Sequence, residues 1–263
     1  TVPIALVAHR GALMQALAAQ LRGTFGLKVD AKQMDHLRAG MSAERNASHD
    51  AATPVRLLLV GATGAVGRQV LTAALADPRV GRVIAPTRRP LSPHARLHNP
   101  VIDFAHLRAD APWWEVNAVV CALGTTIKAA GSQAAFAAVD RDLPIQVARL
   151  ARAAGATRYA LNSSLGANSA GNFYLRTKAE AEAGIRSIGY PTYTIVRPSL
   201  IDTLRSESRP GELIWLSFAR ALRPLIPKRY RAVTAERIAR ALLEGALLDR
   251  PGEYIIESEQ LQD

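Results

Sequence analysis

The chain has 263 residues with a net charge of +11, and 49% of them are hydrophobic against 21% charged. At roughly 100–200 residues per domain this is one large domain or two small ones, and the balance excludes a disordered chain and a coiled coil. The one cysteine, Cys121, excludes an internal disulfide and a multi-cysteine zinc site, and points to a reducing, cytoplasmic compartment.

Nearly all of the basic excess is arginine: 28 Arg against 5 Lys. Guanidinium groups suit phosphate and carboxylate ligands, although GC-rich coding produces the same bias. A specific nucleic-acid partner is not indicated. The longest uncharged run, residues 159–175, is full of Asn, Ser and Gly and does not read as a membrane span.

Residues 1–54 read as an N-terminal extension and linker outside the core. Residues 1–29 hold no acid, and 42–53 are polar; a targeting leader is one reading of the segment. From residue 55 a regular alternation begins and continues to 263. VRLLLV at 55–60 has the continuous apolar pattern of a strand buried on both faces. A glycine turn at 61–67 leads into a helix over 68–76. Further strands are expected at 82–86, 100–103 and 117–123. A helical stretch at 132–154 is interrupted near 140–144, because Pro144 suits a first turn and not a helix interior. A strand at 158–162, a helix at 174–188 and a strand at 192–196 follow. Helices at 212–222 and 235–248 and a short strand at 253–256 end the chain. Strands alternating with helices imply α/β architecture: a Rossmann-type doubly wound parallel sheet in the order 3-2-1-4-5-6, with a small C-terminal substrate-side extension at about 199–233.

The turn Gly61-Ala-Thr63-Gly64-Ala65-Val66-Gly67 follows a buried strand and opens a helix. In that context Gly61 permits the tight turn, Gly64 admits a pyrophosphate, Gly67 lets helix and strand pack, and the free N–H groups at the helix start bind phosphate. The second strand ends in Thr87-Arg88-Arg89 where an NAD enzyme usually carries an acid. Two guanidinium groups suit a 2′-phosphate, so NADP(H) is preferred and NAD(H) remains possible. Asp103 and Phe104, ending the third strand, are placed to flank the adenine.

Tyr174 and Lys178 are four apart, on one face of a helix. An ammonium beside a phenol helps it to donate and accept a proton, and Lys178 can also hold the nicotinamide ribose. Ser163 and Ser164 end the fifth strand, where a hydroxyl can polarise a carbonyl. All six histidines lie at or before His106 without metal-ligand spacing, so no metal site is assigned. Cys121, in an apolar strand, reads as core, and Trp113-Trp114 as packing over the sheet edge.

These residues resemble the atypical branch of the short-chain dehydrogenase/reductase superfamily, NAD(P)-binding proteins related to the Tat-interacting oxidoreductase-like proteins. The resemblance covers residues 55–258 and rests on GATGAVG at 61–67, TRR at 87–89, DF at 103–104 and CALGTTIKAAG at 121–131. VDRDLP at 139–144, NSSLGANSAGNFYLRTKAEAE at 162–182 and VRPSL at 196–200 match as well. It implies a catalytic set of Ser164, Tyr174 and Lys178, a cofactor contact at Leu123, Gly124 and Thr125, and Arg197, Pro198 and Ser199 beside the nicotinamide end. Ser164 stands only ten residues before Tyr174. The short substrate side argues against a nucleotide sugar, which leaves hydride transfer to or from a small carbonyl or alcohol. The alternative is a non-catalytic NADP-binding sensor or scaffold, monomeric or homodimeric, with weak anionic-membrane contact through its basic C-terminal region.

Overall fold

The computed structural model describes residues 54–202 and 227–262. The expected extension at 1–54, apart from Pro54, and the expected helix at 212–222 lie outside the described residues.

Seven parallel strands form the main sheet: β1 (Val55–Val60), β2 (Val80–Ile84), β3 (Leu97–His98), β4 (Ala118–Cys121), β5 (Arg158–Asn162), β6 (Thr192–Arg197) and a last strand at Gly252–Glu257. Two short strands, β7 (Ile201–Asp202) and β8 (Val233–Thr234), pair apart from it, so the last strand is β9. The sheet order is β3-β2-β1-β4-β5-β6-β9. This is the expected 3-2-1-4-5-6 order with one strand added beyond β6. The added strand is parallel because helix α6 (Ala235–Leu247) carries the chain back across the sheet before it. The third strand pairs earlier than expected, at 97–98 in place of 100–103, and beyond it only an isolated bridge joins Thr87 to Val101. Pro100 accounts for this, since it brings no N–H to a ladder.

The apolar patterning decides the layers. Helix α1 (Ala65–Ala76) and α6 bury Val66, Val70, Ala74, Ile238 and Leu242 against one sheet face. Helices α4 (Leu143–Ala153) and α5 (Phe173–Arg186) cover the other with Val147, Ala151 and Ile185, joined by Trp113 and Trp114. The tryptophans pack as expected, and the Trp114 indole N–H donates to the Arg108 carbonyl at 2.8 Å. Cys121 is fully buried, and burial pushes its thiol pKa up. Before α4 lie the short helices α2 (Ile127–Ala130) and α3 (Gln133–Ala137). From α3 the chain runs through one wide π-turn, Ala138–Asp142, directly into α4. Pro144 has no N–H for the Asp140 carbonyl, and the Leu143 N–H reaches back to Ala138. The expected interruption is therefore a bulge within one rod.

Three tyrosines, Tyr159, Tyr190 and Tyr193, are buried in the second layer, and burial raises the pKa of each above its ordinary value. Their hydroxyls donate to the carbonyls of Pro144, Ala148 and Glu182. A raised folded-state pKa means that their stabilisation is complete below the ordinary tyrosine value of about 10 and is lost as pH rises above it. Denaturant unfolding should therefore give constant stability to about pH 9 and a steep decline above about pH 10. A flat alkaline limb would contradict this.

Candidate functional site

The strand order reverses between β1 and β4, which opens a crevice at their carboxyl ends. The glycine turn sits there. Gly61 has φ +91°, and a Cβ on it would meet the Ala122 backbone at 2.7 Å. A Cβ on Gly67 would stand 2.0 Å from the Gly61 carbonyl oxygen, so helix and turn are in backbone contact. Gly64 differs. A Cβ there would meet only the Gly61 oxygen, at 3.4 Å, and otherwise open space. Gly64 caps α1 without a side-chain hydrogen bond, and no acid stands in the first turn. The helix start thus offers backbone N–H groups at Ala65, Val66 and Gly67 and a positive dipole end to the crevice. Thr63 and Gly64 are exposed, whereas the Val66 side chain belongs to the core. An uncapped helix start under open space fits a pyrophosphate.

Strand β2 lies beside β1 in parallel register, so Thr87-Arg88-Arg89 leaves the sheet at the same edge. Buried Thr87 fixes this bend: its hydroxyl donates to the Arg89 carbonyl at 2.6 Å and accepts from the Asn99 amide at 2.8 Å. Arg88 and Arg89 are exposed, and neither has a carboxylate partner among the described residues. The Asp103 carboxylate accepts from the Ala105 N–H at 3.0 Å and pairs with His106 at 2.8 Å, and these two bonds hold it below its ordinary pKa. Phe104 is half-buried against the second layer. Asp103 and His106 line a hollow of about 380 Å³ with Arg108 and Trp113. A larger hollow of about 990 Å³ runs along α1 and α6 and contains none of the predicted site residues.

Across the crevice, α5 begins at the Asn172 cap, whose side chain accepts from the Leu175 N–H at 3.0 Å. The Tyr174 ring packs on Phe136 with centroids 5.4 Å apart, and its hydroxyl has no hydrogen-bond partner among the described residues. One turn later Lys178 is buried, and its ammonium lies 2.6 Å from Asp140 Oδ1. The other oxygen, Asp140 Oδ2, accepts from the Thr125 N–H at 2.9 Å. Lys178 and the Leu123-Gly124-Thr125 loop are therefore brought together, and the residue that joins them is one the motif reading quoted in VDRDLP but gave no role. Its signal was present: an acid between Phe136 and Pro144 at four-residue spacing, on an otherwise apolar helix stripe.

The two serines separate. Ser163 is buried and donates to Glu182, whereas Ser164 is partly exposed and its hydroxyl has no partner among the described residues. The Arg197 guanidinium is held by two carboxylates. Its Nε and Nη2 donate to Glu182 at 3.0 and 2.6 Å, and its Nη1 donates to Glu257 at 2.9 Å. Pro198 is buried, and its carbonyl accepts from the Leu165 N–H at 2.8 Å, which ties the end of β6 to the segment after Ser164.

A glycine turn with an uncapped helix at the switch point of a doubly wound sheet, facing a Tyr-Lys helix, defines a dinucleotide-binding protein of the dehydrogenase/reductase kind. A family model described as NAD(P)H-binding matches residues 61–211. The protein fmp52, mitochondrial, of Emericella nidulans is 38% identical over 175 residues, 62% of this chain and 74% of that protein. Its namesake in Aspergillus fumigatus is 36% identical over 217 residues, 77% of this chain and 92% of that one. Protein HTATIP2 of Rattus norvegicus is 32% identical over 203 residues, 75% and 83% of the two chains. Among solved structures, MoeE5 in complex with UDP-glucose and NAD superposes with TM-score 0.59 at 16% identity, covering 78% of this chain and 79% of that one. The Bordetella bronchiseptica enzyme WbmG in complex with NAD and UDP gives 0.56 at 18%, covering 79% and 74%; at these identities the likeness is one of fold.

The chain belongs to the atypical short-chain dehydrogenase/reductase family of NAD(P)H-binding proteins. It is an oxidoreductase-type protein built for a nicotinamide cofactor. The cytoplasmic expectation does not stand, because the fmp52 relatives are named mitochondrial. The inference from cysteine failed for a physical reason: a lone buried thiol forms no disulfide in any compartment, so it cannot distinguish one reducing compartment from another.

Proposed function

We propose that the chain is an NADP(H)-dependent oxidoreductase that interconverts a small carbonyl compound and its alcohol. Bound nicotinamide supplies or accepts the hydride. Tyr174 donates the proton to the substrate oxygen in reduction and takes it back in oxidation. Lys178 holds the nicotinamide ribose and offers positive charge beside the phenol, and Ser164 donates a hydrogen bond to the substrate oxygen. The observation that carries this reading is the state of the three hydroxyls at the carboxyl edge. Ser163 is committed to a carboxylate, while Tyr174 and Ser164 have no partner among the described residues. The test is NADPH consumption across a panel of aldehydes, ketones and quinones. Turnover of at least one class is expected. Tight NADPH binding with no turnover anywhere in the panel would favour a cofactor-binding sensor instead.

The phosphate preference rests on Arg88 and Arg89 at the end of β2, which have no acidic partner among the described residues. NADPH should bind more tightly than NADH. Arg88→Asp should weaken NADPH by roughly 10- to 100-fold, the worth of one or two charge-assisted hydrogen bonds, and leave NADH little changed. Calorimetry giving equal affinities in the native protein would remove the assignment. The naming of the fmp52 relatives supports a mitochondrial setting for this chain as well, which cell fractionation would test.

A further inference from the structure

Lys178 has a buried counter-charge that its proposed role does not require. Its ammonium is 2.6 Å from Asp140 Oδ1, with the side chains 7% and 1% exposed. Among the described residues that oxygen accepts no hydrogen bond and the Lys178 ammonium donates none, so the contact is an ion pair. The second carboxylate oxygen is spent on the Thr125 backbone N–H. Asp140 and Phe136 are four apart on one rod, as are Lys178 and Tyr174 on another, and the two pairs meet: ring on ring at 5.4 Å, charge on charge at 2.6 Å. The π-turn that contains Asp140 is the one that Pro144 imposes.

We propose that Asp140 is a positioning residue whose carboxylate, bridging the Lys178 ammonium and the Thr125 N–H, sets Lys178 and the 123–125 loop at a fixed separation so that they meet the cofactor as one unit. A lysine side chain has four rotatable bonds, and free rotation would scatter its ammonium over several ångströms. Held in place by the ion pair with Asp140, the ammonium has N–H donors to offer the vicinal hydroxyls of a ribose. The same carboxylate prevents the 123–125 loop from drifting away from α5. This inference rests on the proposed cofactor role of Lys178.

The test is a double-mutant cycle on NADPH affinity, read by nucleotide fluorescence, with native protein, Asp140→Asn, Lys178→Met and the double variant. Asp140→Asn keeps the shape and an acceptor for Thr125 but removes the counter-charge. It should weaken NADPH by roughly 10-fold in the native background and by less than about twofold once Lys178 is Met. The double variant buries no unpaired charge, so recovery of its melting temperature would assign any folding loss in Asp140→Asn to the stranded ammonium. A pH profile separates positioning from plain structural support. The titratable groups around the ammonium are Asp140, the Cys121 thiol of β4, and Tyr174 and Glu182 one turn to either side on α5. In Asp140→Asn the NADPH affinity should fall more steeply with rising pH than in the native protein, because the substitution removes a negative charge that favours the ammonium, and the titration of the cofactor's 2′-phosphate is common to both proteins. Equal weakening in both backgrounds, or parallel pH profiles, would overturn the inference while leaving the cofactor role intact. A native protein that does not bind NADPH would overturn both.

Discussion

Tyr174→Phe is expected to lower turnover by about 10²–10⁴-fold, the usual contribution of a general acid–base group, without change in NADPH affinity or melting temperature. The substitution removes only the hydroxyl. The ring keeps its packing against Phe136, and no hydrogen bond among the described residues is lost, because the hydroxyl makes none. The hydroxyl thus contributes nothing visible to the fold, and in the proposed mechanism it transfers the proton. Full activity in Tyr174→Phe with any accepted substrate would refute the mechanism and leave the fold assignment untouched.

Gly67→Ala is expected to produce the largest structural loss of any single methyl addition at the site. The new Cβ would stand 2.0 Å from the Gly61 carbonyl oxygen. Both partners are backbone, so relief requires moving α1 away from β1. Overpacking of this kind costs about 1–3 kcal/mol or more, which for a domain of this size lowers Tm by roughly 2–4 °C per kcal/mol. Cofactor binding should fail with it, because the turn's N–H groups would no longer converge. Gly64→Ala provides the control. Its Cβ meets only one atom, at 3.4 Å, so the melting temperature should hold while NADPH binding falls, the methyl entering the space over the turn. Calorimetric melts and NADPH titrations on both variants check the pair. Equal melting losses would mean that Gly64 serves packing and not the ligand.

Most of the sheet was legible because a parallel strand buried on both faces reads as a near-continuous apolar run, as AVVC does, and as VRLLLV does apart from its exposed Arg56. The glycine turn was legible for a similar reason: Gly61 and Gly67 answer local steric demands that no other residue meets, and Gly64 leaves the space over the turn open. The strand at 252–257 was seen, but its place beyond β6 was not, since pairing partners are set by where α6 returns the chain. The short third strand was misplaced by three residues because Pro100 removes a ladder donor that its apolar neighbours do not reveal.

The site divides along the same line. By itself the sequence determined what is local: the phosphate turn with its three glycines, the acid-free end of β2, and the one-face spacing of Tyr174 and Lys178. Only the tertiary structure decided what each polar group is spent on. It committed Ser163 and Arg197 to Glu182, left Ser164 and Tyr174 without partners among the described residues, and set Asp140 against Lys178 from 38 positions away. A hydrogen bond or ion pair depends on distances of a few ångströms between segments remote in the chain. Spacing within one segment fixes a helix face, but which charge that face meets is fixed only when two helices pack.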